Sequence, residues 1–399
     1  MTARTIRNTE DDDLFERSLG LLERVFGESR SYHRDVRELD PLVERRDSLV
    51  AVVDGRVVGH LQVLPREMRV GRAILRVAGL ACLAVDPAER GKGHERALIE
   101  AALRQVMRGG YHLAMVFAAD DAPYGEFGWE TLPVDTYVAR LDWAGQVGTA
   151  PPGVRRMDPE NDLAWVAAVH GGYGSSCSGP LVRSLGWWSG NMKWMRENPE
   201  SSFVLERSGR IVGYARARHP VTEHGIGVGD FYSISDLAAQ DEDSEKALLA
   251  TMVQDARSRG FRHLAGQAPV ARRAVALLEA IGTTARVKSD TRLKVKLVDL
   301  KSLLEGLWPE FSAALWQSSS GGSESVGIRV GRQSAELGYR DRAVYVGEAG
   351  TPSIDVSEAE LWALVLKGAA PRGAPGKEAG VLKTLFRERG FAFWRADVF

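Results

Sequence analysis

Behind an acidic stretch, NTEDDD, apolar side chains recur at Phe15, Leu19, Leu22 and Phe26, and Gly27 follows them. That recurrence lays one apolar stripe along a helix, and the glycine supplies a stop. The spacing therefore predicts an amphipathic helix with Thr9 as N-cap. The next segment changes period. SLVAVVDGRVVGHLQVLP sets Asp54-Gly55 between two β-rich runs, the signature of a tight hairpin. AILRVAGLACLAV then reads as a strand from Ala73 to Val85, ending at Asp86-Pro87. Ala97 to Met107 has helical spacing, Gly109-Gly110 stops it, and YHLAMVFAA reads as another strand. Helix, hairpin, strand, glycine-containing loop, helix and strand together describe an α/β or α+β layer fold.

The pattern then repeats. SFVLERSGRIVGYARARHP matches the hairpin segment, with Gly209-Arg210-Ile211-Val212-Gly213 answering Gly55-Arg56-Val57-Val58-Gly59. Further on, Asp236 answers Asp86, Ala247-Leu248 answers Ala97-Leu98, and Gly260-Phe261 answers Gly110-Tyr111. Two matched stretches in the same order predict an internal duplication and two like-folded domains. GQVGTAPPGV, Gly145 to Val154, has the Gly and Pro content of a linker between them. A third region starts near Arg292 and reads as a strand, helices, turns and strands. Its last segment, LKTLFRERGFAFWRADVF, carries apolar and aromatic residues to the final position, so this end is expected to be packed. The expected domains are residues 1–147, 148–291 and 292–399.

Charge narrows the function classes. Lys and Arg number 52 against 53 Asp and Glu, so no global field recruits nucleic acid or an anionic membrane. The two cysteines, Cys82 and Cys177, are far apart and suggest neither a disulfide framework nor a metal knuckle. No apolar run approaches the roughly 18 residues of a membrane span. A cytoplasmic protein with no metal, nucleic-acid or membrane partner is expected.

Chemistry concentrates in one loop. AERGKGHERAL joins a strand to a helix and so brings backbone N–H groups to a helix N-terminus, where an anion is favoured. Gly91 and Gly93 allow close backbone approach, and Arg90, Lys92 and Arg96 add positive charge, which points to a pyrophosphate. The loop is neither a Walker A sequence nor a complete GxGxxG fingerprint. In the second copy the same positions hold Gln240, Asp241, Glu242 and Asp243, which would repel a phosphate. That half is expected to be structural.

Here the residues resemble a family. LACLAVDPAERGKGHERALIEAAL is similar to the acyl-CoA motif of the GNAT superfamily of N-acetyltransferases, in which Arg/Gln-x-x-Gly-x-Gly/Ala sits between a strand and a helix. Arg90, Gly91, Lys92, Gly93, His94 and Glu95 fill it, Glu95 standing where the family has a small residue. AADDAPYGEFGWE resembles the family segment after the next strand, with Tyr124, Phe127, Gly128 and Trp129 in place. The whole chain is similar to the enhanced-intracellular-survival (Eis) acetyltransferases, which join two tandem GNAT-like mixed-sheet domains to a sterol-carrier-protein-like α+β domain.

The resemblance implies ternary-complex transfer from acetyl-CoA to an amine. Backbone groups around Leu83, Ala84 and Val85 would hold the pantetheine arm and the acetyl carbonyl. Arg90 to Glu95 would hold the pyrophosphate. Tyr124 would protonate the departing thiolate, and the terminal carboxylate of Phe399 would take the proton of the attacking amine. Glu28, Asp120 and Asp121 would line a cationic acceptor site, for an aminoglycoside-like polycation or a lysine side chain. A homo-oligomer, hexameric in this family, is implied. A non-catalytic binding protein for an acyl-CoA or an apolar ligand is the alternative. Cys82 reads as a buried strand thiol, and Trp187, Trp188 and Trp194 as core or interface.

Overall fold

In the computed structural model the described residues are 4–119, 122–141, 151–194, 199–219, 221–223, 226–228, 231–350 and 353–398. They form two compact units. The first joins the described residues of 1–132 to those of 291–389, and the second joins those of 133–290 to 390–398. No helix among the described residues is long and apolar enough to cross a membrane.

The first unit begins with β1 (Thr5–Asn8), α1 (Asp12–Phe26) and α2 (Arg30–Glu38). The α1 stripe is buried at Phe15, Leu19 and Leu22. Its cap differs from the expected one: Asp11 accepts from the Leu14 N–H at 2.9 Å, whereas the Thr9 hydroxyl donates to the Arg45 carbonyl at 2.7 Å. β2 (Ser48–Val53) and β3 (Arg56–Val70) form the hairpin, turning at Asp54 and Gly55, both with positive φ. β4 (Ala73–Val85) has the expected bounds, α3 runs His94–Arg108, and β5 (Leu113–Phe117) lies parallel to β4. The sheet order is β1, β2, β3, β4, β5, then the strand Leu293–Leu297, then β6 (Glu130–Thr131). Residues from β2 to β5, α3 and the Tyr124–Trp129 segment share one core that includes Leu49, Leu80, Leu98 and Val116. This unit also holds a separate sheet of Ser323–Val330, Gln333–Arg340, Ala343–Gly347 and Ile354–Asp355.

The second unit repeats the large sheet. Its order is Val154–Arg156, Ser202–Arg207, Arg210–Arg218, Phe231–Ala239, His263–Gln267, Val134–Arg140 and Thr284–Asp290. Each sheet therefore takes the strand next to its edge from the opposite half of the sequence. Leu293–Leu297 lies antiparallel to β5, and Val134–Arg140 lies antiparallel to His263–Gln267. Val134–Arg140 precedes the expected boundary at residue 147 and is hydrogen-bonded in the second unit's sheet.

A buried ionic array sits in the second unit. Arg216 Nε and Nη2 donate to Asp236 at 2.9 Å each, Arg183 Nη1 also donates to Asp236, and Arg183 Nε donates to Asp397 at 2.8 Å. These side chains are at most 1% exposed. Burial alone raises the Asp236 pKa, but Arg216 and Arg183 outweigh it and hold the carboxyl well below its usual range. The array ties Asp397 to this unit, where Phe391, Ala392, Phe393 and Trp394 are also buried. Trp187 and Trp188 are core residues, as expected, and the Trp194 side chain lies outside the described part.

Candidate active site

The parallel ladder between β4 and β5 ends at Leu80 and Val116. From Ala81 onward, β4 is bonded to β3 alone among the described residues, and two of its residues, Cys82 and Leu83, stand opposite Leu61. Cys82 takes a positive φ of 51° at this bulge. A bulge bends its strand and re-aims side chains. Here it turns the backbone of Leu83, Ala84 and Val85 at the place where the two strands part. Those groups are suited to a narrow chain laid along the strand edge.

Beyond Val85 the loop runs through Asp86, which accepts from the Ala88 N–H at 3.1 Å. Gly91 and Gly93 have φ of 74° and 76°, a region that side chains other than glycine's adopt at a cost. A Cβ at Gly91 would meet nothing within 4 Å, so glycine serves the backbone path there and leaves open space. Gly93 is the N-cap of α3 and provides no side-chain acceptor, so the first-turn N–H groups are left for another partner. The Gly93 carbonyl accepts from Arg4 Nη1 at 2.8 Å. Left-handed glycines, an uncapped N-terminus and exposed Arg90 and Lys92 fit a pyrophosphate.

The charges are not all directed at a ligand. Lys92 Nζ donates to Glu89 at 2.9 Å, and Arg56 Nη2 donates to the same carboxylate at 3.2 Å. Lys92 first, with lesser help from His94 and Arg56, lowers the Glu89 pKa. His94 is buried beside Glu89, its Nε2 at 3.6 Å, rather than facing solvent. Arg96 donates to Glu126 at 2.6 Å and Glu100 at 3.0 Å and lies over the Phe127 ring. Arg96 thus fastens the segment after Tyr124 to α3. Glu95 is half-buried in the first turn of α3.

The second copy differs more deeply than in its charges. Asp86 N–H donates to the Val58 carbonyl, and Gln240 N–H donates to Val212, at 2.9 Å in both. A Cβ on Gly59 would strike Leu98 Cδ1, and a Cβ on Gly213 would strike Leu248 Cδ1. These paired landmarks make Gln240 the counterpart of Asp86, where the sequence suggested Asp236. The intervening loop is then about four residues shorter in the second copy. Cys82 corresponds to the fully buried Asp236. The second helix, Glu242–Ser258, is capped by its own acid, Asp241, which accepts from the Ser244 N–H at 2.7 Å. Glu245, the counterpart of Glu95, is buried and bonded to Arg273.

Tyr124 is buried in the first unit, with Trp129 edge-on to its ring at 5.8 Å between centroids. Burial first, then proximity to Cys82, pushes its phenol well above the ordinary value. His60 Nδ1 lies 2.9 Å from the Cys82 carbonyl, so this nitrogen carries the proton and donates. Burial and then Arg37 lower the His60 pKa from 6.5 to about 3. Arg37, which sequence reasoning passed over, is buried on α2 and lies against the Cys82 thiol. Glu28 is half-buried, with Oε2 4.0 Å from His33 Nε2. Cys82 is itself half-buried. Asp120, Asp121 and Phe399 lie outside the described residues.

Residues 5–132 match the family described as Acetyltransferase (GNAT) domain. An uncharacterized N-acetyltransferase of Streptomyces coelicolor is 27% identical over 191 residues, 45% of each chain. N-acetyltransferase Eis of Mycobacterium tuberculosis is 30% identical over 156 residues, 36% of this chain and 39% of that one. The chain thus spans less than half the length of these two curated relatives. A GCN5-related N-acetyltransferase from Anabaena variabilis has the same fold with a TM-score of 0.72 and 18% identity, covering 100% of both chains. Eis1 from Mycobacterium abscessus gives 0.63 and 18%, covering 98% of this chain and 99% of that one. Residues 5–132 are accordingly a GNAT acetyltransferase domain, set in a chain related to the Eis proteins in sequence and similar to them in fold.

Proposed function

We propose that the chain is an N-acetyltransferase that moves the acetyl group of acetyl-CoA to an amine. The observation that carries this reading is the opening after Leu80 and Val116, flanked by the bulge at Cys82 and leading into an uncapped helix with left-handed Gly91 and Gly93. Backbone groups of Leu83, Ala84 and Val85 hold the pantetheine arm. N–H groups from Gly91 to Glu95, with Arg90, hold the pyrophosphate. The donor supplies an activated thioester. Tyr124, its phenol raised by burial, stays protonated at neutral pH and gives its proton to the leaving sulfur. The terminal carboxylate of Phe399 takes a proton from the acceptor ammonium, which frees the nitrogen lone pair for attack as the amine.

The acceptor class of this proposal is an aminoglycoside-like polycation or a lysine side chain, with Glu28, Asp120 and Asp121 as the acids that meet it. The chain acts in the cytoplasm, as a homo-oligomer of the hexameric kind its likeness suggests, and residues 292–399 form the sterol-carrier-protein-like part that ends in the catalytic carboxylate. Residues 1–147 carry the chemistry, and 148–291 are a degenerate copy. A thiol-release assay with acetyl-CoA and a panel of amines tests the reading. Release with at least one amine is expected. No release with any amine, together with no thermal shift on adding CoA, would favour a non-catalytic ligand-binding protein instead.

A further inference from the structure

Arg37 sits in the last turn of α2, 5% exposed, with Nη1 donating to the His33 carbonyl at 2.5 Å. Its Nε and Nη2 are buried with no nitrogen or oxygen hydrogen-bond partner among the described residues, and the Cys82 thiol is the side chain that lies against the group. Those two nitrogens form one edge of the guanidinium, the edge that receives an anion through two parallel N–H donors. No carboxylate of the described residues is ion-paired with it. Among the described residues, the titratable groups facing it are Cys82 on β4, Tyr32 on its own helix and His60 on β3. His60 is held neutral, so it gives no compensation. Burial is the main influence on the Arg37 pKa and lowers it. A guanidinium removed from water without a counterion is costly, and proteins that keep one spend that cost on something.

The cation is placed where a negative charge is due. It lies against the Cys82 thiol, at the bulge immediately before Leu83, Ala84 and Val85. Tyr124 is near the same cysteine, and burial has made it a weak acid. When the amine nitrogen bonds to the acetyl carbon and the C–S bond breaks, the electron pair goes to sulfur. A reluctant phenol leaves that charge standing for longer, and a preorganised cation lowers its energy at the moment it forms.

We propose that Arg37 is a further catalytic residue, whose guanidinium stabilises the thiolate released from the acetyl donor. This rests on the donor site proposed above. Arg37 keeps its own protons throughout: the leaving sulfur is protonated by Tyr124, and the proton of the amine goes to the terminal carboxylate.

The test is a binding measurement on the full chain, independent of turnover. Free CoA can ionise at sulfur, and S-methyl-CoA cannot. Calorimetric titrations with both, from about pH 7 to about pH 10, span the ionisation of an ordinary thiol. In the unmodified protein, the affinity for CoA relative to S-methyl-CoA should rise about tenfold or more across that range. In Arg37→Met the ratio should stay flat, with S-methyl-CoA bound as before. Arg37→Lys should restore part of the rise and decides the matter if the Met variant does not fold. A ratio that rises equally in Arg37→Met and the parent protein overturns the inference while leaving the donor site standing. Failure of the parent protein to bind either compound overturns the donor site and the inference together.

Discussion

Tyr124 and His60 show one physical cause giving opposite charges to lose. Burial disfavours the ionised form of each, so the phenol is pushed up and the imidazole down to about 3. A tyrosine kept protonated is an acid rather than a base. Tyr124→Phe should therefore lower kcat by about 100-fold while leaving the CoA-induced thermal shift unchanged, and a kcat within about twofold of the parent would exclude the role. His60 and His170 both stand at about 3 when folded. The unfolded chain binds their protons more readily, so the stability they protect is complete above about pH 6.5 and declines as pH falls toward 3. Each contributes a slope of up to about 1.4 kcal/mol per pH unit, and calorimetry of His60→Asn between those limits should show a shallower decline. Tyr124 was legible in YGEFGWE because the segment resembles a known one. Arg37 was not, since RSYHRDVRE is charged and polar at almost every position and nothing in its spacing reveals that the fold buries one arginine against Cys82.

The two strand-to-helix loops differ in length and in capping, and that difference separates a binding element from a structural one. In the first copy, Gly93 offers the helix donors no side-chain acceptor, and in the second, the Asp241 side chain satisfies one of them, the Ser244 N–H. Gly93→Ala should both lower Tm and weaken CoA binding, because its φ of 76° opposes any Cβ. Asp241→Ala should cost about 1 kcal/mol of stability and leave CoA affinity unchanged, measured by calorimetry and titration on the same samples. The hairpins were readable because Asp54-Gly55 and Ser208-Gly209 both demand positive φ in a two-residue turn. The position of the gap was not readable. Asp236 matched Asp86 by identity, and only the hydrogen bonds to Val58 and Val212 reveal the true register. Thr9 lost the cap of α1 for a similar reason, because Asp11 offered the same chemistry two residues later.

On the scale of the molecule, the duplication was legible and the traffic of strands between its halves was not. A short strand such as Leu293–Leu297 carries the same apolar pattern whichever sheet receives it. Residues 1–132 alone would keep β5 but lack this neighbour, leaving an exposed edge that invites association. Expressed alone they should aggregate, and co-expression with residues 291–389 should recover soluble material, as size-exclusion chromatography would show. The buried array holding Asp397 adds a second long-range dependence. Arg183→Met strips a counterion from two buried carboxylates and should cost about 3–5 kcal/mol in denaturant unfolding.

The exchanged strand also sets a timetable. A ribosome emits β5 first and must add about 180 more residues before Leu293–Leu297 is available, which at 5–20 residues per second is a wait of about 10–40 seconds. During that interval the nascent first sheet has an open side, and the second half is being made beside it with a sheet of the same order. The halves must tell each other's strands apart while both are incomplete. Slow codons or a chaperone acting between residues 117 and 297 would be felt in this protein as a choice of strand partner, before they were felt as a change of rate.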